Sequence, residues 1–234
     1  MGGTLFEIFR QNFAIESRVA ADAGQQAGDT KIPGLNQLLA SFGGASFKHG
    51  LYRIIRAQDM ARWNARVSLG FPEFAGRIIC FGYDWQGTAF ALDNQRLEEG
   101  EPGVLMFEPG TGEALDVPAN IRTFHEVQLI QNADAVLVPN IYADWREAGG
   151  AEPAFAQCIG YKRPLFLSGE DAIENMELSD LDVYWHIMGQ IMAKAKGLPP
   201  GTRLNIKPPE PAKPLVAPTK SILSRLWNSF SRYR

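Results

Sequence analysis

Cysteine is nearly absent from this sequence: Cys80 and Cys158 are the only two in 234 residues. Each stands alone, so no CxxC pair exists to hold zinc or cycle redox. Cys80 lies in the apolar run Arg77-Ile78-Ile79-Cys80-Phe81 and reads as a small buried hydrophobe. A reducing compartment is the simpler setting for such thiols, which makes the cytoplasm the expected location; a disulfide between them is the other reading. Histidine is scarce as well. His49, His125 and His186 come from separate segments, and a lone histidine fixes neither metal nor mechanism. His186 neighbours an apolar helical stripe and reads as structural. No apolar run approaches the roughly 20 residues that span a membrane. Met1 to Phe13 carries Glu7 and Arg10 within its apolar pattern and lacks a small-residue cleavage site, so no secretion signal is expected there.

Motifs that carry chemistry are also missing. There is no HExxH, and Ser168 in Leu167-Ser168-Gly169 lacks the GxSxG frame of a nucleophile elbow. Phe42-Gly43-Gly44-Ala45-Ser46-Phe47-Lys48 has the glycines of a phosphate loop without its GxxxxGK[ST] spacing. With no nucleophile–base pair and no metal cluster in view, neither an enzymatic activity nor a cofactor is expected. The expectation by elimination is a protein that works by binding another protein.

What is present suffices for a packed core: 45% of residues are hydrophobic and 11% aromatic. The pattern predicts helices over Leu5–Phe13, Leu35–Phe42 and Ala57–Val67, the last burying Met60, Trp63 and Val67. Gly50–Ile55 reads as a strand. A β-meander signal follows: Arg77–Phe81, then Thr88–Leu92 across Tyr83-Asp84-Trp85-Gln86-Gly87, then Val104–Phe107 before the turn Glu108-Pro109-Gly110-Thr111-Gly112. Thr123-x-x-Glu126 predicts a capping box, Pro164–Leu167 a short strand, and Ser179-x-x-Asp182 a second box. The latter opens a helix whose stripe is Leu181, Tyr184, Trp185, Met188, Ile191, Met192 and Ala195, with Lys194 and Lys196 at its end and Gly197 and Pro199 to stop it. Val19–Lys31 reads as a loop and Lys207–Pro214 as an extended linker.

Charge is uneven. From Pro208 to Arg234, five basic residues face Glu210 alone, a balance of +4 that leaves −7 on the remainder of a chain with a formal charge of −3. An acidic body argues against nucleic acid as a direct partner and suits a basic protein. Glu170, Asp171, Glu174, Glu177, Asp180 and Asp182 follow one another with no Lys or Arg between them. Their spacing matches no EF-hand loop. Two readings stay open: a solvated loop with helix-capping acids, or an acidic docking face. Asp180 and Asp182 already have a role beside the helix dipole, which leaves Glu170, Asp171, Glu174 and Glu177 as candidate contacts. Aromatic anchors would supply affinity, and Tyr83, Trp85 and Trp145 are candidates unless they belong to the core. In the tail, Ile222, Leu223, Leu226, Trp227 and Phe230 share one face of a short basic helix. Such a helix lies on a membrane surface, enters a partner's groove or folds back on its own domain.

Gly160-Tyr161-Lys162-Arg163-Pro164-Leu165-Phe166-Leu167-Ser168-Gly169-Glu170-Asp171, then Asn175-Met176-Glu177-Leu178 and Asp182-Val183-Tyr184-Trp185, resembles the C-terminal domain of Tdi-type immunity proteins of bacterial type VI secretion systems. Gly50–Ile55, Trp63 and the Gly87 hairpin resemble the GAD-related module that often precedes it, and the hairpin from Phe81-Gly82 to Asp93 is similar in style to the SUKH immunity superfamily. The resemblance spans roughly residues 5 to 200; Ser168 departs from the usual glycine pair, and the Pro-rich basic tail is an addition. It implies an α+β fold, an antiparallel β-meander packed by helices in the SUKH/GAD manner, with a C-terminal helix and an extended tail. It also implies a GAD-related module over 1–115, a Tdi-like module over 116–205 and a tail over 206–234. The implied function is immunity in bacterial competition: binding and occluding a cognate secreted toxin, in many cases a nuclease. The competing expectation is a non-catalytic regulatory or scaffold module whose tail docks on a membrane or partner.

Overall fold

The computed structural model describes residues 5–22 and 30–195. The expected tail over 206–234, with its linker, lies outside them. The fold is α+β. Seven strands run in chain order as one antiparallel meander: β1 (Ile15–Arg18), β2 (Ala45–Phe47), β3 (Tyr52–Ile54), β4 (Ile78–Asp84), β5 (Ala89–Glu98), β6 (Glu101–Glu108) and β7 (Glu113–Asn120). A separate hairpin pairs β8 (Gln157–Tyr161) with β9 (Met176–Asp180). The helices are α1 (Glu7–Asn12), α2 (Pro33–Phe42), α3 (Met60–Gly70), α4 (Ile121–Thr123), α5 (Leu129–Gln131), α6 (Ala133–Val136), α7 (Pro139–Glu147) and α8 (Leu181–Ala195), with a π turn at Phe124–Gln128 between α4 and α5.

The sheet is covered on both faces, which explains why β5 and β6 read as continuous apolar runs rather than as an alternation. One face packs Tyr52, Phe90 and Val104 beneath α1, α2 and the α4–α5 run. Phe9 lies at its centre, within ring contact of Phe42, Phe47 and His125. The other face carries α3 and α8: Trp63 lies 4.7 Å from Tyr83, and Phe71 bridges Phe107 and Trp185. The stripe of α8 is buried from Leu181 through Met192, as its period predicts. The boundary expected between 115 and 116 falls inside β7, which pairs with β6 along its length.

Several local expectations are corrected. Asn120, not Thr123, caps the helical run: its side chain accepts from the Arg122 and Thr123 amides at 3.0 and 2.9 Å, and Thr123 returns the bond to the Asn120 amide. Glu126 reaches across the chain instead and accepts from the Ile8 amide of α1 at 3.2 Å. At α8, the cap is Asp180, which accepts from the Val183 amide at 3.0 Å; a single cap replaces the reciprocal box expected from Ser179 to Asp182, because Val183 has no side-chain acceptor to return the bond. Pro164–Leu167 is not a strand; Leu165–Leu167 forms a 3-10 turn that Ser168 closes in the left-handed region. The turn from β4 to β5 needs Gly87, whose φ of +81° is strained for other residues and whose Cβ would lie 3.2 Å from Cys158.

Candidate functional site: an acidic cleft beside two hairpin turns

The β4–β5 and β6–β7 turns emerge at the same end of the sheet, and the loop after β8 folds against them through a Leu165 amide bond to the Gly110 carbonyl at 2.9 Å. A cleft of about 150 Å³ opens between them, lined among others by Gln86, Glu108, Thr111, Tyr161, Asp171 and Tyr184. Tyr161 organises it. Its hydroxyl donates to Asp171 Oδ1 at 2.6 Å and accepts from Gln86 Nε2 at 3.3 Å. Its amide donates to the Tyr184 hydroxyl at 3.2 Å, tying β8 to α8.

The charge that lines the cleft is acidic. Glu108 and Asp171 line it, and no Lys, Arg or His does among the described residues. Burial raises the Glu108 carboxyl above its ordinary range, and the Glu113 and Asp171 charges raise it further, against the Thr111 hydroxyl that donates to Oε2 at 2.9 Å. Asp84, at the end of β4, is buried and accepts from the Gln86 and Thr88 amides at 2.9 and 2.8 Å. Burial pushes its carboxyl up to about 8, and the Glu108 charge adds to the shift. A cationic group beside Glu108 and Asp171 would offset the repulsion between them.

Of the residues expected from sequence, Asp171 lines the cleft, while Glu170, Glu174 and Glu177 are exposed on the adjoining loop and strand. Asn175 fixes that loop: its side chain donates to the Arg163 and Glu170 carbonyls at 2.9 and 2.8 Å and accepts from the Arg163 amide at 3.0 Å. The segment is free of basic residues along the chain but not in space, because Lys162 Nζ donates to the Glu174 carbonyl at 2.8 Å and Arg163 stands beside it. Tyr83 and Trp85 are corrected from candidate anchors to core. Both are about 1% exposed or less. Trp85 Nε1 donates to the Leu137 carbonyl at 2.8 Å, and the Tyr83 hydroxyl bonds the Phe155 carbonyl. Trp145 packs partly against the core, with its indole N–H on the Ala151 carbonyl at 3.0 Å.

The histidines are dispersed. His125 is buried, accepting from the Tyr52 hydroxyl at Nε2 (3.0 Å) and donating from Nδ1 to the Ile121 carbonyl (2.8 Å); burial pulls its pKa down to about 3. His186 is exposed beside Gln190 rather than set in the buried stripe, and His49 lies on the surface near Glu16 and Glu152. Among the described residues no three His, Cys, Asp or Glu side chains gather as metal ligands, and both cysteines are buried and unpaired. No described helix is long and apolar enough to cross a membrane. Sequence reading missed Glu108, Gln86 and Tyr161 as a group, because two strands and a turn far apart in the chain bring them to one cleft; the local signal at Glu108 was only the Glu108–Gly112 turn.

No family model matches the chain, and no curated protein matches it. Among solved structures, it is similar to the crystal structure of Atu4351 from Agrobacterium tumefaciens, with 12% identity over 80% of this chain and 89% of that chain and a TM-score of 0.46.

Proposed function

We propose that this chain is a non-catalytic binding protein that captures a basic protein partner at the acidic cleft, and that the partner is a secreted toxin whose action the chain occludes. The observation that carries this reading is the convergence of Glu108 and Asp171 in a cleft with no basic lining residue, flanked by exposed Glu170, Glu174 and Glu177. A lysine or arginine from a partner entering the cleft would meet two carboxylates and the Tyr161 hydroxyl. The surrounding acidic loop would speed encounter and select against acidic partners. The resemblance to type VI immunity proteins names the kind of partner. Nuclease toxins present basic surfaces because phosphate binding demands them.

The test is co-expression with the product of the adjoining gene. Growth arrest by that product, relieved by the native chain but not by the Glu170→Lys, Asp171→Lys, Glu174→Lys variant with unchanged Tm, supports the proposal. Equal rescue by that variant removes the cleft from the interface. Absence of any arrest removes the toxin.

A further inference from the structure

A second cavity, of about 190 Å³, lies between α3 and the start of α8. Unlike the acidic cleft, it is lined by arginines. Arg56, Arg62 and Arg66 face Asp59 and Asp182, and Asp22 lies 3.2 Å from Arg56, so the charges balance in number. The pairing is uneven. Asp59 takes Arg56 at 2.6 Å and Arg62 at 3.3 Å. Asp182 is half exposed and serves both Arg62, at 3.5 Å, and Arg66. Arg66 is the anomaly. Its side chain is 7% exposed, its guanidinium lies 4.2 Å over the Trp63 ring, and its Nη1 has no hydrogen-bond partner among the described residues. A buried guanidinium N–H without an acceptor is costly, and its persistence beside a cavity points to an acceptor from outside. The remaining walls are mainly apolar, with Trp63, Phe155 and Leu181 beside Tyr83.

We propose that this cavity binds a small organic carboxylate with an apolar body. The carboxylate would supply the acceptor that Arg66 lacks and a charge that Arg66 need not share with Arg62, as Asp182 is shared. The apolar part would lie against Trp63 and Phe155. At about 190 Å³ the cavity is smaller than sites for drug-sized ligands, so the body is no larger than a single ring. Burial, aided by the Arg62 charge, pulls the Arg66 pKa down to about 10. Asp182 acts as the internal competitor for the same arginine.

Titration calorimetry on the full chain with benzoate, benzamide and inorganic phosphate tests this. Benzoate is expected to bind, with benzamide and phosphate far weaker. Arg66→Met is expected to weaken benzoate about tenfold or more, the effect of losing one charge-assisted pair. Asp182→Asn should tighten it by removing the competitor. Should Arg66→Met fail to fold, Arg62→Gln on the cavity rim reads the same charge and is expected to weaken benzoate. Equal binding of benzamide, binding of phosphate as tight as benzoate, no benzoate binding, or weaker binding in Asp182→Asn would each overturn the assignment.

Discussion

The Tyr161 hydroxyl donates to Asp171 Oδ1 at 2.6 Å, so one phenol on β8 holds a loop carboxylate in the acidic cleft. Because Gln86 donates to the same oxygen from the β4–β5 turn, the cleft is set by a chain of bonds across three parts of the fold. Tyr161→Phe deletes the donor without changing the ring. Urea denaturation should show a loss of about 1 kcal/mol, the usual net worth of such a bond. If a basic partner binds the cleft as proposed, its dissociation should quicken as Asp171 loses its fixed position. An unchanged dissociation rate would mean that the partner does not use Asp171.

Two buried groups should give stability opposite pH slopes. Asp84 titrates ordinarily near 3.8 and near 8 in the fold, because of burial first and then the Glu108 charge. The native state therefore holds a proton that the unfolded state releases, so this contribution is complete below pH 3.8 and is lost as pH rises through 8. His125 runs the other way. Its ordinary 6.5 falls to about 3, so its contribution is complete above pH 6.5 and is lost as pH falls towards 3. From 6.5 to 8 Asp84 acts without His125. Tm should fall across that interval in the native chain, and Asp84→Asn, which keeps an acceptor for the Gln86 and Thr88 amides, should flatten the fall.

The meander and α8 were legible because period and turn chemistry are local. Val104–Phe107 falls within β6, and Arg77–Phe81 and Thr88–Leu92 each begin one residue before β4 and β5. β1, β2, β7 and the β8–β9 hairpin were not, since short strands such as Ala45–Phe47 take their conformation from the neighbour they pair with. The cleft was half legible. Asp171 stood out by charge, whereas Glu108 sat in a segment whose only message was a turn. Tyr83 and Trp85 misled because an aromatic hairpin reads alike whether its rings face a partner or another layer of the same molecule.

That burial has a measurable cost. Trp85 fills the core and satisfies its indole N–H on the Leu137 carbonyl, with its ring 5.1 Å from that of Tyr142. Trp85→Ala should destabilise by about 3–5 kcal/mol, as for other large-to-small core changes. Calorimetric unfolding checks this. A loss under about 1 kcal/mol, the range of surface changes, would place the ring outside the core.

Glu108 separates the cleft from the loop beside it. Its carboxyl is raised by burial and by the Glu113 and Asp171 charges, so its charged form is disfavoured in the free protein. Glu108→Gln keeps an acceptor for Thr111 while removing the repulsion, and Tm should rise or hold. Binding should respond oppositely. A partner cation seated in the cleft would lose one of its two carboxylates, and truncating one side of a buried charge pair acts mainly on dissociation, at about 2–5 kcal/mol. Reversing the exposed loop acids should instead slow association and flatten its salt dependence, because charges on a rim steer encounter. Stopped-flow measurement of both rates against ionic strength distinguishes the two effects. If Glu108→Gln changed only the association rate, the partner's cation would lie on the loop and the cleft would stand empty in the complex.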